Sequence, residues 1–136
     1  MNVSTTPVLK ERYLPPFEML LRPDNIIVAK VLPGTKHIDK DSLVSLRETV
    51  KDWGGGKRMR VIIHIHSFTL ITNEAKHYSA SEEAGEFTLA NALIVNSTAE
   101  RIASNFYILF TKPVRPTKIF SNVNQAVDWL MSLKDD

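Results

Sequence analysis

Cysteine is absent from the 136 residues. That excludes disulfides, thiolate metal sites and a cysteine nucleophile together, and it fits a reducing cytoplasm. A dominant charge is missing too. Seventeen Lys and Arg stand against fifteen Asp and Glu, a net of +2, too mild to point to a nucleic-acid partner. Long apolar runs are lacking: Asn25–Leu32 and Leu89–Val95 fall far short of the roughly 20 residues a membrane span needs, so no membrane insertion is expected. The N-terminal stretch has no basic segment leading into an apolar core, so no signal peptide is expected.

Motifs of catalysis are equally scarce. Gly54-Gly55-Gly56 follows a helical pattern instead of opening one, and Lys57-Arg58 comes after it where a phosphate loop needs Lys-Ser/Thr. Ser67, Ser79, Ser81, Ser97 and Ser104 sit in no Gly-x-Ser-x-Gly elbow. Glu82, Glu83 and Glu86 read as solvated carboxylates, because an acid/base pair needs contrasting environments to separate its pKa values. No enzyme and no cofactor are expected.

What is present is an alternation of strands and helices. Residues 1–16 form an extended lead-in ending in Pro15-Pro16, within which Val8–Leu14 offers a candidate edge strand. Residues 17–136 form one domain, as this length suits. Phe17–Leu21 and Ile26–Leu32 flank Arg22-Pro23-Asp24-Asn25, whose proline and Asx residues suit a hairpin turn. Asp39 caps a helix with Leu43, Leu46, Val50 and Trp53 on one face, stopped by the glycine run. Val61–His66 is the next strand, and Thr72 caps a helix over Asn73–Ala84.

Gly85-Glu86 resets the chain, and Leu89–Val95 reads as a strand covered on both faces. Ser97-Thr98-Ala99-Glu100 is a capping box. It opens a helix with Ala99, Ile102, Ala103, Phe106, Leu109 and Phe110 on one face, expected to pack into the core. Lys112-Pro113 ends it. A short strand at Thr117–Phe120 precedes a helix, capped by Ser121 or Asn122, that buries Val123, Ala126, Val127, Leu130 and Leu133. The order is β-β-α-β-α-β-α-β-α: a mostly parallel sheet of four or five strands begun by a hairpin, with four helices.

This order and certain local words resemble a known group. The words are Ile71-Thr72-Asn73-Glu74-Ala75-Lys76, Ala90-Asn91-Ala92-Leu93-Ile94-Val95 and Asn105-Phe106-Tyr107-Ile108-Leu109-Phe110-Thr111-Lys112-Pro113. Phe120 and Ala126-Val127-Asp128-Trp129-Leu130 complete the set. The chain resembles the STAS-like superfamily, which includes anti-sigma-factor antagonists and, more distantly, CRAL-TRIO lipid-transfer domains, and within it small uncharacterised bacterial proteins. The resemblance implies a non-enzymatic regulatory or protein-interaction module. Antagonists that switch by phosphorylation carry an acidic residue, Ser/Thr and glycine where the helix after the third strand begins. Here Thr72 stands near that position without the acid or the glycine, and a plain helix cap is the favoured explanation.

The candidate regulatory or partner-binding residues are therefore Ser67, Thr69, Thr72 and Asn73. A second reading, a carrier or sensor of a lipid or other small apolar ligand, rests on Phe68, Phe106, Tyr107 and Phe110. His64 and His66 share a strand face and could begin a metal site only if a third ligand converged, from His77, Glu74 or Glu82. The other reading of that pair is a polar face under a helix end or at a subunit contact. Asn91 and Asn105 sit among apolar neighbours and are expected to find structural hydrogen bonds. The basic groups Lys112, Arg115, Lys118 and Lys57, Arg58, Arg60 could meet phospholipid headgroups or an acidic partner, and solvated loops are the favoured reading. The partner is a protein of unknown identity or a second copy of the chain.

Overall fold

A computed structural model of the chain describes residues 8–65 and 69–135. Eight strands and five helices run in the order β1 (Lys10–Leu14), β2 (Phe17–Leu21), β3 (Ile26–Val31), β4 (His37–Ile38), α1 (Lys40–Gly54), β5 (Met59–His64), β6 (Leu70–Ile71), α2 (Asn73–Ser79), α3 (Glu82–Gly85), β7 (Thr88–Ile94), α4 (Thr98–Thr111), β8 (Thr117–Phe120) and α5 (Val123–Ser132). Six strands make the main sheet in the order β1-β2-β3-β5-β7-β8, while β4 and β6 pair separately in parallel.

The opening hairpin forms as its turn residues dictate. The Arg22 N–H donates to the Ile26 carbonyl at 2.9 Å, the Asp24 carboxylate accepts from the Ile26 N–H at 3.3 Å, and Asn25 takes the left-handed conformation at φ 64° that Asn tolerates best after glycine. From β3 onward every pairing is parallel. The connecting helices α1, α2 and α4 touch in succession, as same-handed crossovers advancing across a sheet require.

Two counts differ from expectation. The main sheet has six strands because Lys10–Leu14 pairs antiparallel with β2 in full register; its outward edge leaves Lys10, Glu11 and Tyr13 exposed, so no hydrophobic alternation marks it. The described residues form five helices because the expected Asn73–Ala84 helix breaks at Ala80-Ser81. The Ser81 hydroxyl accepts the Ala84 N–H and starts α3 afresh, a local cap competing with helix continuation.

Each face of the sheet has its own core. One unites Phe17, Met19, Leu21, Ile27, Ala29, Val31 and Val61 with Val50 of α1, and Leu43, Leu46 and Trp53 pack against it. The other joins Ile26, Val28, Ile62, Ala90, Ala92, Ile94 and Phe120 to Ala126 and Leu130 of α5. The alternation along β3 and β5 divides between the two cores, which is why β3 reads as a continuous apolar run. Helix α1 begins on the Asp39 cap and ends at Gly55, φ 59°, a conformation glycine takes without Cβ strain.

Candidate functional site

Helix α4 departs most from expectation. The serine half of its cap forms as read: the Ser97 hydroxyl accepts the Glu100 N–H at 3.1 Å. Glu100 Oε1 reaches one residue further back, to the Asn96 N–H at 2.8 Å. The expected core face, however, points away from the protein. Ile102, Phe106, Leu109 and Phe110 are 52, 55, 64 and 72% exposed, with Ala99, Ala103 and Asn105 exposed beside them.

The inner face carries Glu100, Ser104, Tyr107, Ile108 and Thr111 instead. These recur at helical spacing, and two of them are tethered. Glu100 holds the Asn96 backbone, and the Tyr107 hydroxyl lies 2.6 Å from that of Ser79 on α2. Burial raises the Tyr107 pKa above the ordinary phenol value, against the lowering effect of its Ser79 and Thr111 contacts. Two polar anchors on one side set the roll of the helix, and the apolar stripe takes the other side.

On that stripe Phe106 and Phe110 stack, with ring centroids 5.7 Å apart and planes 5° from parallel. A shallow depression of about 270 Å³ beside them is lined by Ile102, Asn105, Phe106 and Leu109. Asn105, expected to need a buried partner, faces water within this patch. Of the aromatic ligand-binding candidates, Phe106 and Phe110 come together and Tyr107 points to the opposite side, toward Ser79. Phe68 lies outside the described residues.

The other candidates separate likewise. Ser67 and His66 lie outside the described residues. The Thr69 hydroxyl donates to the Thr35 carbonyl at 2.9 Å, and backbone bonds from Leu70 and Thr72 to Lys36 and Ile38 stitch this segment to β4. The Thr72 hydroxyl accepts the Ala75 N–H at 3.1 Å, the cap read from the sequence, while Asn73 is exposed.

His64 ends β5 beside an open crevice of about 340 Å³ at the carboxyl ends of the parallel strands, lined in part by Glu18, Lys30 and Asn96. Glu18, Lys30 and His64 stand in one cross-strand row. Burial, then the Lys30 charge, lowers the His64 pKa. Among the described residues no three His, Asp or Glu side chains converge as a metal site would need.

Much of the basic surface is engaged within the chain. Arg115 donates to the Gly85 carbonyl at 2.8 Å and Arg58 to that of Glu86 at 3.2 Å. Arg60 holds the end of α5. Arg47 bonds Glu48, Glu86 and the Glu83 carbonyl with its guanidinium 4.9 Å from the Phe87 ring centre, which ties the acidic run Glu82–Glu86 to α1. No helix among the described residues is long and apolar enough to cross a membrane.

This architecture has a structural likeness to an uncharacterised protein of the DUF3478 family with a SpoIIAA-like fold from Shewanella loihica PV-4. The two share 14% identity over 84% of this chain and 91% of the other, with a TM-score of 0.58. A protein of unknown function from Arthrobacter sp. FB24, 18% identical over 85% of this chain and 92% of its own, superposes with a TM-score of only 0.31 and has no bearing on the fold. No curated protein matches the chain. The mixed sheet with its parallel crossovers is thus a SpoIIAA-like, STAS-type α/β fold. The chain belongs to the family described as a domain of unknown function (DUF7793), which matches residues 19–134.

Proposed function

We propose that this chain is a non-enzymatic protein-interaction module of STAS type, acting in the cytoplasm through the outer face of α4. One observation carries the reading: four large apolar side chains lie more than half exposed along a single helix face. Folded monomers rarely leave a contiguous apolar patch beyond about 300–600 Å² to water without a use for it. The SpoIIAA-like fold is compatible with such a role. The Thr72 hydroxyl, already occupied in capping α2, contributes less to this surface than α4 does. The alternative, a carrier of a lipid or other apolar ligand, draws less support, since Phe106 and Phe110 face away from Tyr107.

The test is affinity capture with the wild-type chain and with Leu109→Asp. A protein retained by the first and lost by the second, with far-UV circular dichroism unchanged, is the expected result. Equal capture by both chains removes α4 as the working surface.

A further inference from the structure

We infer that the occupant of the α4 face is the α4 helix of a second copy of this chain, packed antiparallel across a two-fold axis beside Asn105 and Phe106. The inference rests on the interaction-module reading above and names its partner. A two-fold contact sets a patch against itself, so that patch must tolerate its own chemistry. This one does. Ala99, Ile102, Ala103, Asn105, Phe106, Leu109 and Phe110 carry no formal charge, so nothing in it repels its copy or selects an oppositely charged partner. The flanking Arg101 is turned aside, donating to the Ser121 hydroxyl at 2.7 Å.

Shape and spacing agree. Ala99, Ile102, Phe106 and Leu109 recur at intervals of 3, 4 and 3, the seam along which paired helices interdigitate. The stacked Phe106–Phe110 rings stand beside the depression lined by Ile102, Asn105, Phe106 and Leu109. With the axis beside Asn105 and Phe106 the two depressions face each other, and the Phe106–Phe110 stack of each protomer lies over the small Ala103 of its partner. In that register Ile102 of one protomer lies over the partner's Leu109. The antiparallel arrangement also sets the positive N-terminal end of each α4 against the negative C-terminal end of the other.

The area is of the right order. An aromatic side chain carries about 200 Å² of surface and an aliphatic one somewhat less, so the four exposed side chains supply roughly 900 Å² over two protomers. Ala99, Ala103 and Asn105 lift this toward the ~1,200 Å² at which specific interfaces begin. The size predicts a modest, concentration-dependent dimer.

Sedimentation of the full chain from about 1 to about 100 µM tests this, beside Phe106→Asp, whose side chain already faces water and whose fold is checked by circular dichroism. Because the chain has no cysteine, Asn105→Cys and, as a control on exposed α5, Asn124→Cys each report a single disulfide. The expected result is a dimer lost in F106D, with oxidative cross-linking of N105C and not of N124C. A wild-type monomer at the top concentration, a dimer that survives F106D, or equal cross-linking at both cysteines overturns the self-pairing. If the chain is a monomer, flotation with phosphatidylcholine vesicles and the capture experiment are repeated with F106D. Binding that F106D abolishes rejects the second copy and keeps α4 as the working face; binding that F106D leaves intact rejects both.

Discussion

The Tyr107 and Ser79 hydroxyls lie 2.6 Å apart, and this contact between α4 and α2 marks the side of α4 that faces the protein. Tyr107 and Glu100 are seven residues apart, two helical turns, and so share a face. Glu100 anchors that face at the N-terminal end and Tyr107 anchors it near the C-terminal end. Turning the helix over to bury Phe106 and Phe110 would break both anchors. It would also bring Ile102 and Leu109 off the surface, and because two hydrogen bonds are worth less than that burial, the exposed stripe calls for a partner as well as the two anchors.

Removing one anchor should loosen that choice. Tyr107→Phe is expected to cost about 1 kcal/mol, the net worth of a typical intramolecular hydrogen bond, and Ser79→Ala a similar amount. The double variant should lose less than the two singles combined, because both delete the same contact. Urea unfolding of the four proteins measures the coupling. Amide exchange localised to α4 should rise in Y107F. Strict additivity would mean that the two hydroxyls do not cooperate and that the roll of α4 is set elsewhere.

How far the sequence foretold the structure depends on the range of the forces involved. The hairpin turn at Pro23–Asn25, the caps at Asp39, Thr72, Ser97 and Asn122, and the stop at Gly54–Gly56 were all legible, since each is settled within a few residues. The α5 face was legible because its apolar stripe meets one sheet face. The break between α2 and α3 was hidden, since Ala80 to Glu83 suits a helix interior as well as a new start. Strand β1 was faint because it covers no core of its own. On α4 the stripe was visible and its direction was not: an amphipathic pattern gives the angle between two faces, and Ser79, 28 positions away in the chain, determines which one turns inward. Of the segment expected to carry the site, the structure shows Thr69 to Asn73 tied to β4 and to the cap of α2.

His64 predicts a pH dependence. Burial first, and the neighbouring Lys30 charge second, hold its folded pKa below the ordinary 6.5. As the pH falls through that ordinary value, the unfolded chain takes up a proton that folded His64 refuses. Stability is therefore fully present above about 6.5 and declines below it, toward the lowered folded pKa. Denaturation midpoints measured from about pH 8 to about pH 5 should fall on the acid side for the wild-type chain, and His64→Gln should flatten that limb while matching it above neutrality. An unchanged acid limb in H64Q would assign it to other groups. Lys30→Met should soften the slope only in part, since charge is the smaller of the two causes.

Arg60 joins the middle of the sheet to the end of α5. From β5 its guanidinium donates to the Leu130 carbonyl at 2.7 Å and to the Leu133 carbonyl at 2.6 Å, and it meets the Asp135 carboxylate at 2.8 Å. The Leu130 carbonyl also takes the Leu133 N–H at 3.2 Å, and a cation at this end of the helix complements the negative end of its dipole. Lysine keeps the charge and loses the fork that reaches two carbonyls at once. Arg60→Lys should therefore destabilise the chain by about 1.5–3 kcal/mol, the range for hydrogen bonds to a charged group. Asp135→Asn should cost less than about 0.5 kcal/mol, because its carboxylate is 80% exposed and solvent screens the pair. Urea denaturation of the two variants gives the comparison, and hydrogen exchange should show α5 fraying from its C-terminal end in R60K alone. Equal losses in the two would mean that the salt bridge, and not the capping of α5, is what Arg60 contributes.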